Sequence, residues 1–233
     1  MINAIQFQNK RVGSTFIQKA IDSHPDIMGI DEVFVNMARK PGMRKSGFVP
    51  FLRSDINNAE TYIREVIYKT YPDKHTIFKL MYNQIYHHTG LFDFIKSNKV
   101  PMIHIIRRNL VKQLISGMTA ATTKHNSLTI SPQQLMDSVI RLEKENEKWA
   151  KKLKDHIRLT LYYEDIIGEQ GSDMTYVSHK ANAAICKFFG VRSLLLYANT
   201  KKKNKEDISV YLPNIEEIKK HFKGGKYGWM MER

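Results

Sequence analysis

The strongest structural signal in this sequence is the segment NKRVGSTFIQKAIDSHP (residues 9–25), where a basic pair, a glycine and two hydroxyl residues directly precede an amphipathic run. The first N–H groups of a helix have no partner within it, and the helix dipole is positive at that end. Glycine permits close approach, and hydroxyl and guanidinium groups add donors. The segment therefore predicts a cradle for a phosphate or a similar oxyanion; a helix with a Ser/Thr cap and a solvated basic pair is the alternative.

The residues on either side of this cradle predict a parallel α/β unit. NAIQFQ (3–8) is a β-prone run that leads into the cradle. The apolar spacing that follows predicts a helix from about Ser14 to Ser23. Pro25 ends that helix, and a second short strand begins after it. A strand, a loop, a helix and a further strand in this order open a parallel α/β fold.

The remainder of the chain continues the alternation of helices and strands, without an internal repeat or an inter-domain linker, which predicts one domain over residues 1–233. Segment 36–58 is basic, broken by proline and glycine, and aperiodic, so it is predicted to be a lid or an acceptor-binding excursion. The other predicted elements are a helix at 59–71, a strand at 76–82, a helix at 84–97, a strand at 100–107, a helix after 108, a helix with a capping box from Pro132, a strand at 157–166, a helix at 176–190 and a short helix near the C-terminus.

Composition limits the classes of partner and of site. Lys and Arg number 37 against 23 Asp and Glu, so the net charge of +14 favours an anionic partner such as a nucleotide, a nucleic acid, an acidic glycan or an anionic membrane. Cys186 is the only cysteine, which excludes an intramolecular disulfide and a cysteine-based zinc cluster. The sequence shows no metal-ligand cluster. With 42% hydrophobic residues the chain can bury a large core.

The sequence carries no targeting signal and predicts a soluble, cytoplasmic protein. Polar residues from Gln6 to Arg11 interrupt the N-terminal apolar run, so no secretory h-region forms. No apolar stretch approaches the roughly 20 residues that a membrane-spanning helix needs. The oligomeric state has no signature in the sequence.

A second candidate anion site lies in IHIIRRNLVKQLISG (103–117). A buried strand ends at Arg107 and Arg108, and Ser116 follows Arg108 by eight residues, two turns into the next helix. An arginine at the end of a strand and a serine on the following helix can converge on one phosphate. A surface arginine pair with an unrelated serine inside the helix is the alternative.

Two nucleotide-binding motifs are absent, and this limits the alternatives. The segment around Gly13 lacks the lysine of a Walker loop, and no dinucleotide fingerprint occurs. A nucleotide kinase-like enzyme remains a possible class, disfavoured by the absence of that lysine and of a carboxylate for magnesium after a strand. A basic nucleic-acid-binding protein is the non-enzymatic alternative, but zinc, RNA-recognition and KH signatures are absent.

Taken together, four segments resemble the sulfotransferase family, in the family's order, between residue 5 and about residue 222. KRVGSTFIQKAIDSHPDI resembles its 5′-phosphosulfate loop, and RRNLVKQLISG its 3′-phosphate motif. LTLYYEDI resembles its Tyr-Glu-Asp segment, and PNIEEIKKHF its C-terminal helix. The resemblance implies a P-loop-like α/β fold and transfer of a sulfuryl group to a hydroxyl or amine of a carbohydrate, small molecule or peptide.

The donor implied by the resemblance is 3′-phosphoadenosine 5′-phosphosulfate (PAPS), with adenosine 3′,5′-bisphosphate (PAP) as the product and no metal required. Arg108 and Ser116 would take the 3′-phosphate. Arg11 would stabilise the charge that develops on the leaving group, with Lys10 as the alternative in a different register. The 5′-phosphosulfate would lie on the loop formed by Lys10, Arg11, Val12, Gly13, Ser14, Thr15 and Phe16.

The acceptor must lose a proton, so a general base is expected near the sulfuryl group. The resemblance places the base at Glu32, after the second strand, with Asp31 as the alternative. Other sulfotransferases use a histidine as the base, so His87, His88 and His104 are further candidates for this role. The resemblance also implies that Lys79, near the end of a strand, faces the active site. Tyr163 and Glu164 are expected to organise structure rather than chemistry.

Overall fold

The computed structural model describes residues 1–34, 59–69, 71–88, 90–121, 128–171, 173–200 and 207–232. Within these residues the chain alternates strands and helices, as the sequence predicts. In chain order the elements are β1 (Asn3–Gln8), α1 (Ser14–Asp22), β2 (Ile27–Glu32), α2 (Ala59–Thr61) followed by a π-helical turn (Tyr62–Tyr68), β3 (His75–Met81), α3 (Tyr82–His87), α4 (Leu91–Ser97), β4 (Met102–Ile106), α5 (Leu110–Ala121), α6 (Pro132–Lys152), β5 (Ile157–Tyr162), α7 (Tyr163–Ile166), β6 (Ile167–Gln170), β7 (Thr175–Val177), α8 (His179–Phe189), β8 (Tyr197–Ala198) and α9 (Ile215–Phe222).

Five strands form a parallel sheet in the order β2-β3-β1-β4-β5. The predicted α/β class, with a central parallel sheet flanked by helices, is confirmed. A smaller antiparallel sheet follows, in the order β6-β7-β8. The chain leaves β1 toward β2 at one edge and leaves β4 toward β5 at the other. The two connections therefore diverge between β1 and β4, which is where open α/β sheets bind ligands at the carboxyl ends of their strands.

Helices cover both faces of the central sheet. On one face, Ile17 of α1 and Ile185 of α8 belong to the cluster that buries Ala4, Ile77 and Ile103 of the strands. The opposite face buries Ile5, Phe7, Phe78 and Leu80 beneath α2, α4 and Trp149 of α6. Because both faces are covered, the strands are nearly continuous apolar runs, as expected for parallel strands. Among the polar residues of these strands, Gln6 and Gln8 of β1 and Lys79 of β3 lie toward the carboxyl ends, near the candidate site.

Three predicted elements are wrong in their extent. The helix predicted at 84–97 is two helices, because Gly90 adopts a left-handed φ of 78° and caps α4. The strand predicted at 157–166 ends at Tyr162 and turns into the short helix α7. In the segment 176–190, Ser178 starts a helix by accepting a hydrogen bond from the Ala181 N–H, and the residues before it pair as β7.

Other local predictions are confirmed. The capping box of α6 forms, with the Ser131 hydroxyl bonded to the Gln134 N–H and the Gln134 side chain bonded back to Ser131. The segments 36–58 and 201–205 lie outside the described residues. In the part of the chain described, no helix is both long and apolar enough to span a membrane.

Candidate active site

The loop between β1 and α1, residues 9–13, is built around two residues with left-handed backbone. Arg11 has φ 65° and Gly13 has φ 75°. Such a φ is strained for arginine, at about 1–2 kcal/mol, and unstrained for glycine. Gly13 is the N-cap of α1, no side chain caps this helix, and its first turn carries no acidic residue. The start of α1 therefore offers backbone donors and a positive dipole to an anion.

The absence of a side chain at Gly13 leaves room for an aromatic ring. A β-carbon placed on Gly13 would lie 2.2 Å from Cε2 and 2.4 Å from Cδ2 of Tyr163. These distances are far below van der Waals contact, so Tyr163 can pack on the loop only because residue 13 has no side chain. The sequence signals a tight turn at Gly13, and the structure adds the reason that no other residue fits.

Helix α5 is joined to the loop by two hydrogen bonds. Arg11 Nε donates to Ser116 Oγ at 3.1 Å, and the stem of Arg11 passes over Gly117. Gln113 Nε2 donates to the carbonyl oxygen of Lys10 at 2.6 Å. The structure thus brings together the two motifs that the sequence separates by about a hundred residues, at the point where the connections from β1 and β4 diverge.

The segment Tyr162–Asp165 organises the start of α5. Glu164 accepts hydrogen bonds from the N–H groups of Arg108 and Asn109, both at 3.0 Å, which satisfies two donors before the helix begins. Asn109 Oδ1 adds a bond from the Lys112 N–H. The expectation that Glu164 organises structure agrees with these contacts.

Arg108, predicted to share a phosphate with Ser116, is engaged by two other residues in the structure. Its guanidinium makes a bidentate pair with Asp165, at 2.7 and 2.5 Å, and lies 4.2 Å from the centre of the Tyr162 ring. The hydrogen bond from Arg108 lowers the pKa of the Asp165 carboxyl. Arg108 is exposed, so a ligand reaching it would compete with a solvent-screened pair, which is a weak one.

A buried polar surface lies beneath the loop. Gln6 and Gln8 on β1 are fully buried, and the Gln6 amide donates to Gln8 Oε1 and to the carbonyl oxygen of Ser14. Lys79 on β3 is opposite Gln6 in the register and is 2% exposed. A buried ammonium group needs a partner, and Lys79 Nζ forms an ion pair with the Asp31 carboxylate.

The two candidate bases follow β2 at the same edge of the sheet. A register shift between Ile30 and Glu32 leaves Asp31 in a bulge, and this turns its carboxylate toward Lys79. Asp31 Oδ1 also accepts the N–H of Glu32 at 2.9 Å. The Asp31 carboxylate is therefore tied both to the buried Lys79 ammonium group and to the backbone of the next residue.

The histidine alternatives lie in other surroundings. His104 is 1% exposed and shares a hydrogen bond through Nε2 with the hydroxyl of Tyr82, on the face of the sheet opposite α1. The ring of His88 packs on Phe34, with the centroids 4.7 Å apart. The side chain of His87 lies outside the described part of the structure. His104 is thus a bonded core residue.

The buried His104 predicts a pH dependence of stability. Burial lowers the pKa of His104 from 6.5 to about 4, so the unfolded chain takes up a proton that the folded chain refuses between these values. The free energy of unfolding should fall by about 3 kcal/mol between pH 7 and pH 4 on account of this residue.

Urea unfolding at pH 7 and at pH 4 measures this effect in the native sequence and in His104→Gln. Glutamine retains a hydrogen-bonding group for Tyr82 but does not titrate. A pH dependence that is equally steep in both proteins would contradict the assignment to His104.

Several buried polar atoms around the loop have no hydrogen-bond partner in the described structure. They are Gln6 Oε1, Gln113 Oε1 and Arg107 Nε. An unpaired buried polar atom costs about 1–3 kcal/mol. These are positions where a bound ligand can supply the missing partner, although other such atoms, on Tyr68, Trp149 and His156, lie elsewhere in the described structure.

The residues predicted to form the anion-binding loop differ in their exposure to solvent. Lys10 and Thr15 are exposed, Arg11 and Gly13 are half-buried, and Ser14 is buried at the start of α1. Val12 and Phe16 belong to the apolar core beneath α1, so only their backbone is available to a ligand.

Sequence reasoning did not find the contacts made by Arg107, Gln113 and the Gln6–Gln8 pair. The alternation of Gln6 and Gln8 in an otherwise apolar strand is the signal that could have revealed the polar surface. The described residues contain no group of three or more His, Cys, Asp or Glu that could hold a metal ion.

The comparisons with known proteins give structural neighbours but no family assignment. No family model and no curated protein matches the sequence. A solved structure of a sulfotransferase from Alicyclobacillus acidocaldarius is similar with a TM-score of 0.48 and 10% sequence identity, over 94% of this chain and 95% of that one.

Proposed function

We propose that this protein is a sulfotransferase that transfers the sulfuryl group of PAPS to a hydroxyl or amine of an acceptor. The observation that carries the proposal is the hydrogen bond from Arg11 Nε to Ser116 Oγ, which joins the loop at the start of α1 to the helix that follows β4. A donor with two separate anionic ends needs two anion-binding groups side by side. A single nucleotide polyphosphate needs only the first.

The residues at the site fit such a donor. The uncapped start of α1 and the Arg11 guanidinium supply donors for the 5′-phosphosulfate, and Ser116 supplies a hydroxyl for the 3′-phosphate. Lys10, Ser14 and Thr15 lie in the same loop or first turn. Arg108 joins the 3′-phosphate contact by exchanging its Asp165 partner for the ligand.

The chemistry of sulfuryl transfer requires charge stabilisation at the leaving group and removal of a proton from the acceptor. Negative charge grows on the oxygen that bridges phosphorus and sulfur, so the backbone N–H groups and Arg11 bind the transition state more strongly than the ground state. The acceptor oxygen or nitrogen attacks sulfur, its proton passes to a carboxylate, and PAP leaves. We assign that carboxylate to Glu32, the position that the resemblance in sequence favours, and give Asp31, whose Oδ1 pairs with Lys79 and accepts a backbone N–H, a structural role.

Ligand-dependent thermal stability tests the donor. At about 100 times its dissociation constant, PAP should add roughly 2.7 kcal/mol to the folded state and raise the melting temperature by roughly 5–10 °C. AMP, ADP and ATP with magnesium serve as the comparison ligands at the same salt concentration. An equal response to every nucleotide, or a preference for ATP with magnesium, would overturn the proposal.

A serine pair provides a matched control for the 3′-phosphate contact. Ser116→Ala should remove most of the preference for PAP over AMP, because only PAP carries the second phosphate. Ser138→Ala, on α6, removes a hydroxyl that bonds the Gln134 carbonyl in the helix and should leave the preference unchanged.

The assignment of the base predicts different outcomes at two neighbouring carboxylates. Glu32→Gln should slow the release of PAP from PAPS about 100- to 10,000-fold, the usual contribution of a general base, with little change in PAP affinity. Asp31→Asn should instead lower thermal stability, because it leaves Lys79 buried without its ion pair. A larger loss of turnover in Asp31→Asn at unchanged stability would transfer the role to Asp31.

A further inference from the structure

Two arginines follow one another at the end of β4, and the structure gives them opposite surroundings. Arg108 is exposed and pairs with Asp165. Arg107 is half-buried, its Nε is out of contact with solvent, and it has no carboxylate partner within 4 Å in the described residues. A largely desolvated guanidinium without an ion pair is costly, so its contacts with the loop call for an explanation.

Arg107 contacts the loop directly. Its Nη1 donates to the carbonyl oxygen of Arg11 at 3.4 Å. Arg11 is the residue with the strained φ of 65°, and its carbonyl is part of the turn that aims the following N–H groups. A charged donor on this carbonyl stabilises the one conformation in which the loop faces the start of α1.

A second contact reaches the loop through an aromatic ring. The Arg107 guanidinium lies 4.8 Å from the centre of the Tyr163 ring, and that ring occupies the place of the missing side chain at Gly13. Arg107 thus contacts the loop at Arg11 and Tyr163 contacts it at Gly13, the two residues with left-handed backbone. Burial lowers the pKa of the Arg107 guanidinium, and the charge of the nearby Glu164 carboxylate is among the effects that oppose this.

We infer that Arg107 is a positioning residue that holds loop 9–13 in its anion-binding conformation, through the Arg11 carbonyl and the Tyr163 ring. It acts on the ligand through the loop, whereas Arg108 acts at the 3′-phosphate alone. The consequence for ligand affinity rests on the proposed function, but the consequence for the loop does not.

Limited proteolysis tests the loop without any ligand, because trypsin cleaves after Lys10 and Arg11. Arg107→Met should raise the rate of cleavage at this loop about 10-fold or more, relative to the other tryptic sites. Arg158→Met, at an exposed arginine on β5, is the matched control and should leave the rate unchanged. An unchanged rate in Arg107→Met, at a melting temperature within about 2 °C of the native protein, would overturn the inference.

Binding of two nucleotides separates the roles of the adjacent arginines. Arg107→Met should weaken PAP and AMP by the same factor, about 10-fold, because both ligands use the loop. Arg107→Lys should recover little of the lost affinity for either nucleotide, since an ammonium group cannot stack on Tyr163 and donate to Arg11 with the same geometry. Arg108→Met should weaken PAP alone. A loss confined to PAP in Arg107→Met would make Arg107 a direct 3′-phosphate ligand and contradict the positioning role.

A double variant gives a further check on the joint action of Arg107 and Tyr163. Tyr163→Leu keeps an apolar group against Gly13 but removes the ring face. If both residues act on the loop together, Arg107→Met should have a smaller effect in the Tyr163→Leu background than alone. Additive effects would contradict the inference. If the native protein binds neither nucleotide while Arg107→Met still exposes the loop to trypsin, the proposed function fails and the inference about the loop stands.

Discussion

Gly13→Ala is expected to destabilise the fold by about 2–5 kcal/mol and to abolish nucleotide binding. The left-handed φ of 75° costs alanine about 1–2 kcal/mol, and the clash with the Tyr163 ring at 2.2 Å adds about 1–3 kcal/mol. Relief of the clash requires Tyr163 to leave the loop, which also removes the ring that supports Arg107. Thermal unfolding and calorimetric titration with PAP measure the two losses.

Gly90→Ala is the matched control for this prediction. Gly90 has a similar φ of 78°, but a β-carbon there would meet no atom within 4 Å. It should therefore show only the conformational cost of about 1–2 kcal/mol and retain PAP binding. Equal stability of the two variants would show that the contact between Tyr163 and residue 13 contributes nothing.

Arg11→Met is expected to weaken PAP binding about 10- to 100-fold while the fold is preserved. A hydrogen bond from a charged donor is worth about 1.5–3 kcal/mol, and Arg11 also brings a positive charge to the loop that precedes α1. Its hydrogen bond to Ser116 is partly exposed, so its loss should shift the melting temperature by only a few degrees. Calorimetric titration at 0.15 M salt measures the affinity.

Lys10→Met tests whether the effect of Arg11 on PAP affinity depends on its position in the loop or only on its positive charge. Lys10 is adjacent, exposed and equally charged, so it contributes to the field but has no described contact with Ser116. Its removal should change PAP affinity about 3-fold or less, because salt screens exposed charges. If Lys10→Met has the larger effect, the register of the loop differs and Lys10 carries the contact with the leaving group.

The sequence predicts the parts of the site that depend on local chemistry. The glycine and hydroxyl residues before an apolar helix predict the loop at Gly13, and the spacing of Arg108 and Ser116 points to α5, the helix from which Ser116 contacts this loop. Alternation of strands and helices is equally local, so the parallel sheet was predictable from it. The break at Gly90 was missed because apolar periodicity continues through a residue whose backbone turns the chain.

The partners of the arginines could not be predicted from spacing. Arg107 and Arg108 are chemically identical, but their contacts differ: more than fifty residues later in the chain, Asp165 pairs with Arg108 and Tyr163 packs against Arg107. The pairing of Asp31 with Lys79 accompanies a single register shift in β2 against β3, which the sequence does not reveal. Such contacts arise only when the tertiary structure brings distant segments together.

Loop 9–13 is held in place by three side chains from other parts of the chain, and this affects how a ligand should bind there. Gln113 holds the Lys10 carbonyl, Arg107 holds the Arg11 carbonyl, and Tyr163 covers Gly13. The entropy cost of ordering these residues is met when the chain folds, so a nucleotide that arrives at the loop meets a rigid receptor. Association should then be a single-step reaction whose rate rises linearly with ligand concentration and falls with ionic strength, as the net charge of +14 attracts anions from solution.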